Sequence, residues 1–308
     1  MNLLTDYAFK FVFGSEKHKK VTIKFLNTIL EGKERIVDVE FRDKEQLPIK
    51  EDGKRMVFDI YCTTDTDSHI IVEMQVRVPP TFADRAIAYC SHAVLNQISK
   101  GDKYRYEKVY GIYIMGSHLA YHEPRLERRV SFMDEQTGEI FSDKIHMVFL
   151  DLKCMHRKHF HECRNNVERY LFLVKNMENM KGKEKDYPMF DDLFDAADIG
   201  DLAEDQVIAY SQSRLKLEDD REALEYEVAQ EREKALSEGR AEGRAEGRAE
   251  GRAEGMKEGI EKGIEKGKKE GERNLLASII SHLKSQGSSL QQIAVILGRP
   301  ESEIALLY

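Results

Sequence analysis

The chain has 308 residues, is 41% hydrophobic and 34% charged, and carries a formal net charge of −8. No run of about 18 apolar residues occurs, which excludes a membrane-spanning helix, and MNLLTDYAFKFVFG has an acid at position 6 and no apolar core, so no secretory leader is expected. The acidic balance excludes a protein that is basic all over, though not one with a locally basic site, and charge above the roughly 25% of a typical domain must be concentrated in particular segments.

In chain order, residues 5–31 carry apolar positions at Phe9, Val12, Phe13, Ile23, Leu26, Ile29 and Leu30. They predict helices interrupted at Gly14-Ser15, with Ser15 capping the second. IVDVEF (36–41), MVFDIYC (56–62) and HIIVEMQV (69–76) predict strands, and Pro79-Pro80 ends that run. TFADRAIAYCSHAVLNQISKG (81–101) predicts a helix closed by Gly101. KVYGIYIMG (108–116) and KIHMVFLDL (144–152) predict buried strands, and residues 165–180 an amphipathic helix. The order gives a mixed α/β domain over residues 1–190. Residues 191–235 read as an acidic linker and helix, with FDDLFDAADIGDLAEDQ (190–206) exposed. Residues 236–273 form a glycine-repeat helix and 274–308 a small helical module. Cys62, Cys90, Cys154 and Cys163 form no CxxC pair and read as reduced thiols of a cytoplasmic protein.

Two carboxylates interrupt the apolar strands. Between FDIY and IIVEMQV lies CTTDTDSH, a turn-forming block that predicts an antiparallel hairpin. A turn centred near Thr66 sets Asp59 opposite Glu73, with Glu73 and Gln75 on one face. Like charges that close are destabilising unless a raised pKa, a cationic side chain or a metal compensates. Two readings follow: a Mg²⁺ site for phosphodiester hydrolysis, or a wet sheet face.

TDYAFKFVFG, FDIY, IVEMQ and the DRAIAYCSHAVLNQISKGDKY helix, in this order, together resemble the recombination-promoting nuclease/putative transposase family of the PD-(D/E)XK superfamily. The resemblance covers residues 3–180, and the glycine-rich tail is also similar. It implies a restriction-endonuclease-like mixed sheet flanked by helices, a long helical repeat extension and a small helical tail. It further implies a Mg²⁺-dependent DNA endonuclease with a role in recombination or transposition, the alternative being a catalytically weak fold that binds DNA or a partner. Asp59 and Glu73 match the metal-binding acids. Gln75 stands where the superfamily more often has Lys, so the site has a catalytic amide without charge. The carbonyl of Val76 or another backbone carbonyl is expected to complete the metal's shell.

Asp6 and Lys10 lie one helical turn apart and are expected to support the site, or to form an ordinary surface pair. Arg85 and Tyr89, also i,i+4, are expected to reach the DNA backbone or to lie on a packed helix face. CMHRKHFHEC (154–163) offers two Cys and three His, yet its spacing matches no ordinary zinc pattern and it reads as a basic loop.

Glycines recur every fourth residue from 239 to 271. Each step advances about 40° beyond a full turn, so the glycine line winds around the helix. Repeated Glu and Arg at i,i+4 disfavour an isolated helix in the first half, whereas Glu258–Lys262 and Glu265–Lys269 are favourable pairs. Twelve acids and twelve bases from Glu231 to Arg273 exclude a basic nucleic-acid arm. A homo-oligomer through close helix packing is expected, against a solvated linker. In the tail, Ser289 and Gln292 form a capping box, Gly298 ends a helix, and the two short helices read as a docking module in preference to a DNA reader.

Overall fold

The computed structural model describes residues 1–43, 45–46, 56–99, 101 and 103–307. It has two compact units, Met1–Glu222 and Ala223–Tyr308.

In the first unit, the expected helical segment divides into α1 (Asp6–Phe13) and α2 (Lys19–Ile29). The Thr5 hydroxyl caps α1 by accepting from the Ala8 N–H. Ser15 does not cap the helix that follows: its hydroxyl donates 2.6 Å to the Phe11 carbonyl and closes α1 instead. A short β1 (Val39–Phe41) follows, then the two-stranded pair β2 (Glu45–Gln46) and β3 (Met56–Val57). β4 (Ile60–Thr64) and β5 (His69–Gln75) form the expected hairpin. Ile60 pairs with Val72, Tyr61 with Ile71 and Cys62 with Ile70, the register that a turn near Thr66 requires. Asp67 in that turn has φ 61°, a left-handed conformation that Asp tolerates. The expected single strand over 56–62 is broken, with a bend at Asp59 between β3 and β4.

α3 (Phe82–Leu95) carries the chain across to β6 (Val109–Met115), parallel to β5. The helix expected to reach Gly101 stops at Leu95. β6 is buried along its whole length, as its unbroken apolar sequence demands. Gly111 within it admits α3: a β-carbon there would lie 2.8 Å from the Cys90 sulfur. β7 (Glu127–Met133) was absent from the predicted elements. It is an antiparallel partner of β8 (Ile140–Asp151), which starts four residues before the predicted strand. ERRVSFM hides its strand character because a half-exposed edge strand tolerates charge, including the Arg129–Glu127 pair at 2.5 Å. The six-stranded sheet has the order β1-β4-β5-β6-β8-β7.

α4 (Asn166–Asn176) and α5 (Asp191–Ala196) join α1 and α2 over one face of the sheet, where Ile70, Val72, Ile112, Ile114, Val148 and Leu150 point. Over the other face, Phe82, Ala86 and Cys90 of α3 meet Ile71, Tyr113 and Phe149. The acidic stretch from residue 190 is not an exposed linker: Phe190, Leu193 and Ala196 are buried in the core. α6 (Glu204–Ser285) begins there, with Tyr210 buried and its hydroxyl accepting from the Asn2 N–H at 2.6 Å.

In the second unit α6 continues through the glycine repeat, with Lys262–Glu258 and Lys269–Glu265 paired at 2.7 Å. α7 (Leu290–Leu297) has the Ser289/Gln292 capping box and ends at Gly298, φ 62°. α8 (Glu301–Ala305) follows, and Ile280, Ile293 and Ile304 form a small core of their own.

Candidate active site

The break before β4 and the polar residues of β5 have one origin. Asp59 turns its Oδ2 to accept the Met74 N–H at 2.9 Å, so its carboxylate takes a place in the hairpin where a backbone carbonyl would otherwise stand. Glu73 reciprocates: its Oε1 accepts the Asp59 N–H at 3.0 Å. These two bonds lock the acids to each other's strand. Glu73 is 5% exposed. Burial, and then the charge of Asp59, push its carboxyl up to about 8, against partial relief from the Asp59 N–H, Arg85 and Lys10.

Two cations flank the acids, one from each layer of helix. Lys10 of α1 lies 2.7 Å from Asp6 Oδ1 and 3.1 Å from Asp59 Oδ1. Burial disfavours its ammonium, but the hydrogen bond to Asp6 and the charge of Asp59 outweigh it, and its pKa is raised. Arg85 of α3 donates to Gln75 Oε1 at 2.6 Å. Because guanidinium only donates, the atom that Gln75 turns to it is the carbonyl oxygen, and the amide NH₂ is left to face elsewhere. Arg85 packs over the Phe82 ring at 4.8 Å and lies 5.9 Å from the Tyr89 ring centre. Its Nε is buried and has no hydrogen-bond partner among the described residues. Tyr89 meets the Phe58 ring edge-on at 5.0 Å, and its hydroxyl donates to the Val57 carbonyl at 3.4 Å.

The seven residues singled out in the sequence therefore divide. Asp59, Glu73, Lys10 and Asp6 form one connected set, Gln75 and Arg85 a second beside it, and Tyr89 holds the β3–β4 bend. Phe82 went unnoticed in the sequence, where an aromatic at a helix start is indistinguishable from core. Gly116 keeps the floor of the site tight: it follows β6, donates to the Gln75 carbonyl at 2.9 Å, and a β-carbon on it would lie 2.5 Å from the Val76 carbonyl oxygen. An open cleft of about 530 Å³ runs past Asp6 and Lys10, lined by Tyr7, Phe11, Ser213 and Lys216.

The donor set is hard oxygen, which suits a hard divalent cation. A buried acid pushed up beside a second acid is a pair short of positive charge, and the orphaned Arg85 Nε–H lacks an acceptor of the kind a phosphate oxygen provides. The residues present fit both groups.

Compared with protein-family models, residues 3–227 match the family described as PD-(D/E)XK nuclease family transposase. No curated protein and no solved structure gives a significant match.

Proposed function

The chain belongs to the PD-(D/E)XK nuclease transposase family, and on that footing we propose that it is a metal-dependent DNA endonuclease acting in recombination or transposition. Its hydrolytic centre is Asp59, Glu73 and Gln75, with Asp59 and Glu73 holding Mg²⁺ or another divalent cation. When bound there, the cation supplies Lewis-acid polarisation of the phosphoryl oxygen and makes water a better nucleophile. The rest falls to the chain's own side chains. Lys10 keeps positive charge against Asp59 and offers it to the scissile phosphate, which the amide of Gln75 cannot do. Arg85 fixes the Gln75 amide so that its NH₂ donates to water or phosphate, and its own Nε–H takes a phosphate oxygen. Asp6 orients Lys10, and Tyr89 keeps the bend that aims Asp59.

The observation that carries this reading is the cross-locked Asp59–Glu73 pair with a cation on either side. The test is nicking of supercoiled plasmid by the purified chain in Mg²⁺ or EDTA. Wild type cuts only with metal, and Asp59→Ala and Glu73→Ala do not cut while remaining folded. Undiminished cutting by both variants ends the assignment, and DNA retention without cutting by wild type favours a binding module.

We also propose that the 236–273 helix self-associates. Among the described residues, and apart from the helix's own adjoining backbone, a β-carbon placed on any of the nine repeat glycines meets nothing within 4 Å, so bare backbone is presented along a fully exposed helix. The four cysteines are unpaired, which supports a reducing, cytoplasmic setting.

A further inference from the structure

A second convergence of ligating side chains stands at the same end of the sheet, two strands from Gln75. The parallel register aligns Gln75 with Met115 and Met115 with Asp151. Asp151 ends β8 and is 1% exposed. Its Oδ1 accepts the N–H groups of Lys153 at 2.8 Å and Cys154 at 3.3 Å, which caps the tight turn over residues 152–154. Its Oδ2 is thereby aimed at His118 Nδ1, 2.7 Å away, on the loop that leaves β6. The turn brings Cys154 Sγ to 3.9 Å from the same nitrogen. One nitrogen, one oxygen and one sulfur donor lie within 4.8 Å of one another, the one group of three or more such donors that converges among the described residues.

Two chemistries use these three residue types. A Cys–His–Asp nucleophile needs the acid on one imidazole nitrogen and the thiol on the other. Here both face Nδ1, so the imidazole cannot pass a proton from one to the other. Three donors converging on one point is instead the arrangement of metal ligands. Tetrahedral zinc, with bonds of about 2.0–2.3 Å, sets its ligand atoms about 3.3–3.7 Å apart. The Cys–His separation already lies close to this range, and the His–Asp contact opens by less than about 1 Å.

We propose that His118, Asp151 and Cys154 form a zinc-class metal site, separate in chemistry and residues from the Asp59–Glu73 pair. A sulfur and an imidazole select a borderline-soft ion over Mg²⁺. The site is anchored by its surroundings: Asp151 is oriented by two backbone N–H groups, and Lys175 donates to the Leu152 and Met155 carbonyls at 2.8 Å, bracing the turn that carries Cys154. Binding releases the Cys154 thiol proton and ties the β6 exit loop to the end of β8. Three protein ligands leave a fourth position for water or an incoming ligand. His156, His159 and His161, the histidines that made this stretch conspicuous in the sequence, take no part, and the rings of His159 and His161 stack on each other at 5.4 Å.

The test uses the full chain, purified without a histidine tag and titrated with Co²⁺ as a spectroscopic stand-in for zinc. One equivalent should bind with thiolate-to-cobalt absorption in the near ultraviolet, displaced by Zn²⁺ and not by excess Mg²⁺. His118→Ala and Cys154→Ser should lose that absorption and weaken binding at least about tenfold, while Asp59→Ala keeps it. In wild type, zinc should also protect Cys154 from alkylation, mapped by mass spectrometry, a readout that needs no variant to fold. Absence of the cobalt–thiolate signal in wild type, its persistence in both variants, or unprotected Cys154 overturns the proposal.

Discussion

Two regions of this chain crowd like charges, with opposite consequences. Asp59 and Glu73 are held together inside a hairpin, where Glu73 is 5% exposed and its carboxyl is pushed up to about 8. Along the repeat, Glu242, Glu246 and Glu250 follow one another at i,i+4 on a solvated helix, and water screens what the protein does not. The same repulsion is a source of chemistry in the first place and a small helix-weakening effect in the second. Burial decides between them, because it removes the solvent that would otherwise absorb the charge.

The largest effects should come from undoing the hairpin pair. Loss of a residue that merely orients a metal ligand costs about 10–100-fold, so Asp59→Ala or Glu73→Ala should end measurable plasmid nicking. Lys10→Met and Arg85→Met should each lower the nicking rate by about 100-fold, the scale of losing one charge-stabilising donor. If Arg85→Met weakens cutting and Lys10→Met does not, the charge that Gln75 lacks is supplied from α3 alone.

A pH series probes the pair without touching activity. The folded chain holds the Glu73 proton more tightly than the unfolded chain does, so the Glu73 contribution to metal-free stability is fully present below about pH 4.5 and is lost as pH rises to about 8. A tenfold difference in proton affinity between the two states corresponds to about 1.4 kcal/mol, so the loss is on the order of a few kcal/mol. Thermal unfolding in EDTA at pH 5 and pH 8 should show it as a lower Tm at the higher pH. Mg²⁺ should restore the Tm at pH 8, and Glu73→Gln should flatten the series. A flat wild-type series would mean that the two acids are solvated.

The same contrast explains what could be read from sequence. The hairpin register was legible because CTTDTDSH fixes the turn and alternation fixes the faces, which together set Asp59 against Glu73. The way the acids bond was not, since it is side chain to backbone across the strands and breaks 56–62 in two. β7 was invisible because exposed edge strands relax the pattern that reveals buried ones. α5 misled in the same manner: DDLFDAAD is acidic overall, yet Leu193 and Ala196, three apart, face the core. The cluster of His118, Asp151 and Cys154 joins the loop after β6 to the end of β8 and the turn that follows it, which only the parallel pairing of β6 with β8 brings together.

The smallest expected effect belongs to the repeat, and it distinguishes a bare helix from a packed one. Glycine in a helix interior costs about 0.5–1 kcal/mol relative to alanine. Among the described residues, and apart from the helix's own adjoining backbone, nothing lies within 4 Å of a β-carbon at Gly243, Gly247, Gly251 or Gly255. Substituting these four by Ala should therefore raise helicity, seen as stronger far-ultraviolet circular dichroism and a higher melting temperature of the tail. If the helix stands alone, that is the whole effect and the sedimentation coefficient is unchanged. If glycines let a second copy approach, the added methyl groups separate the backbones, and full-length protein should shift toward monomer even as each helix becomes more stable. Helicity and assembly then move in opposite directions, a result that a solvated linker cannot produce.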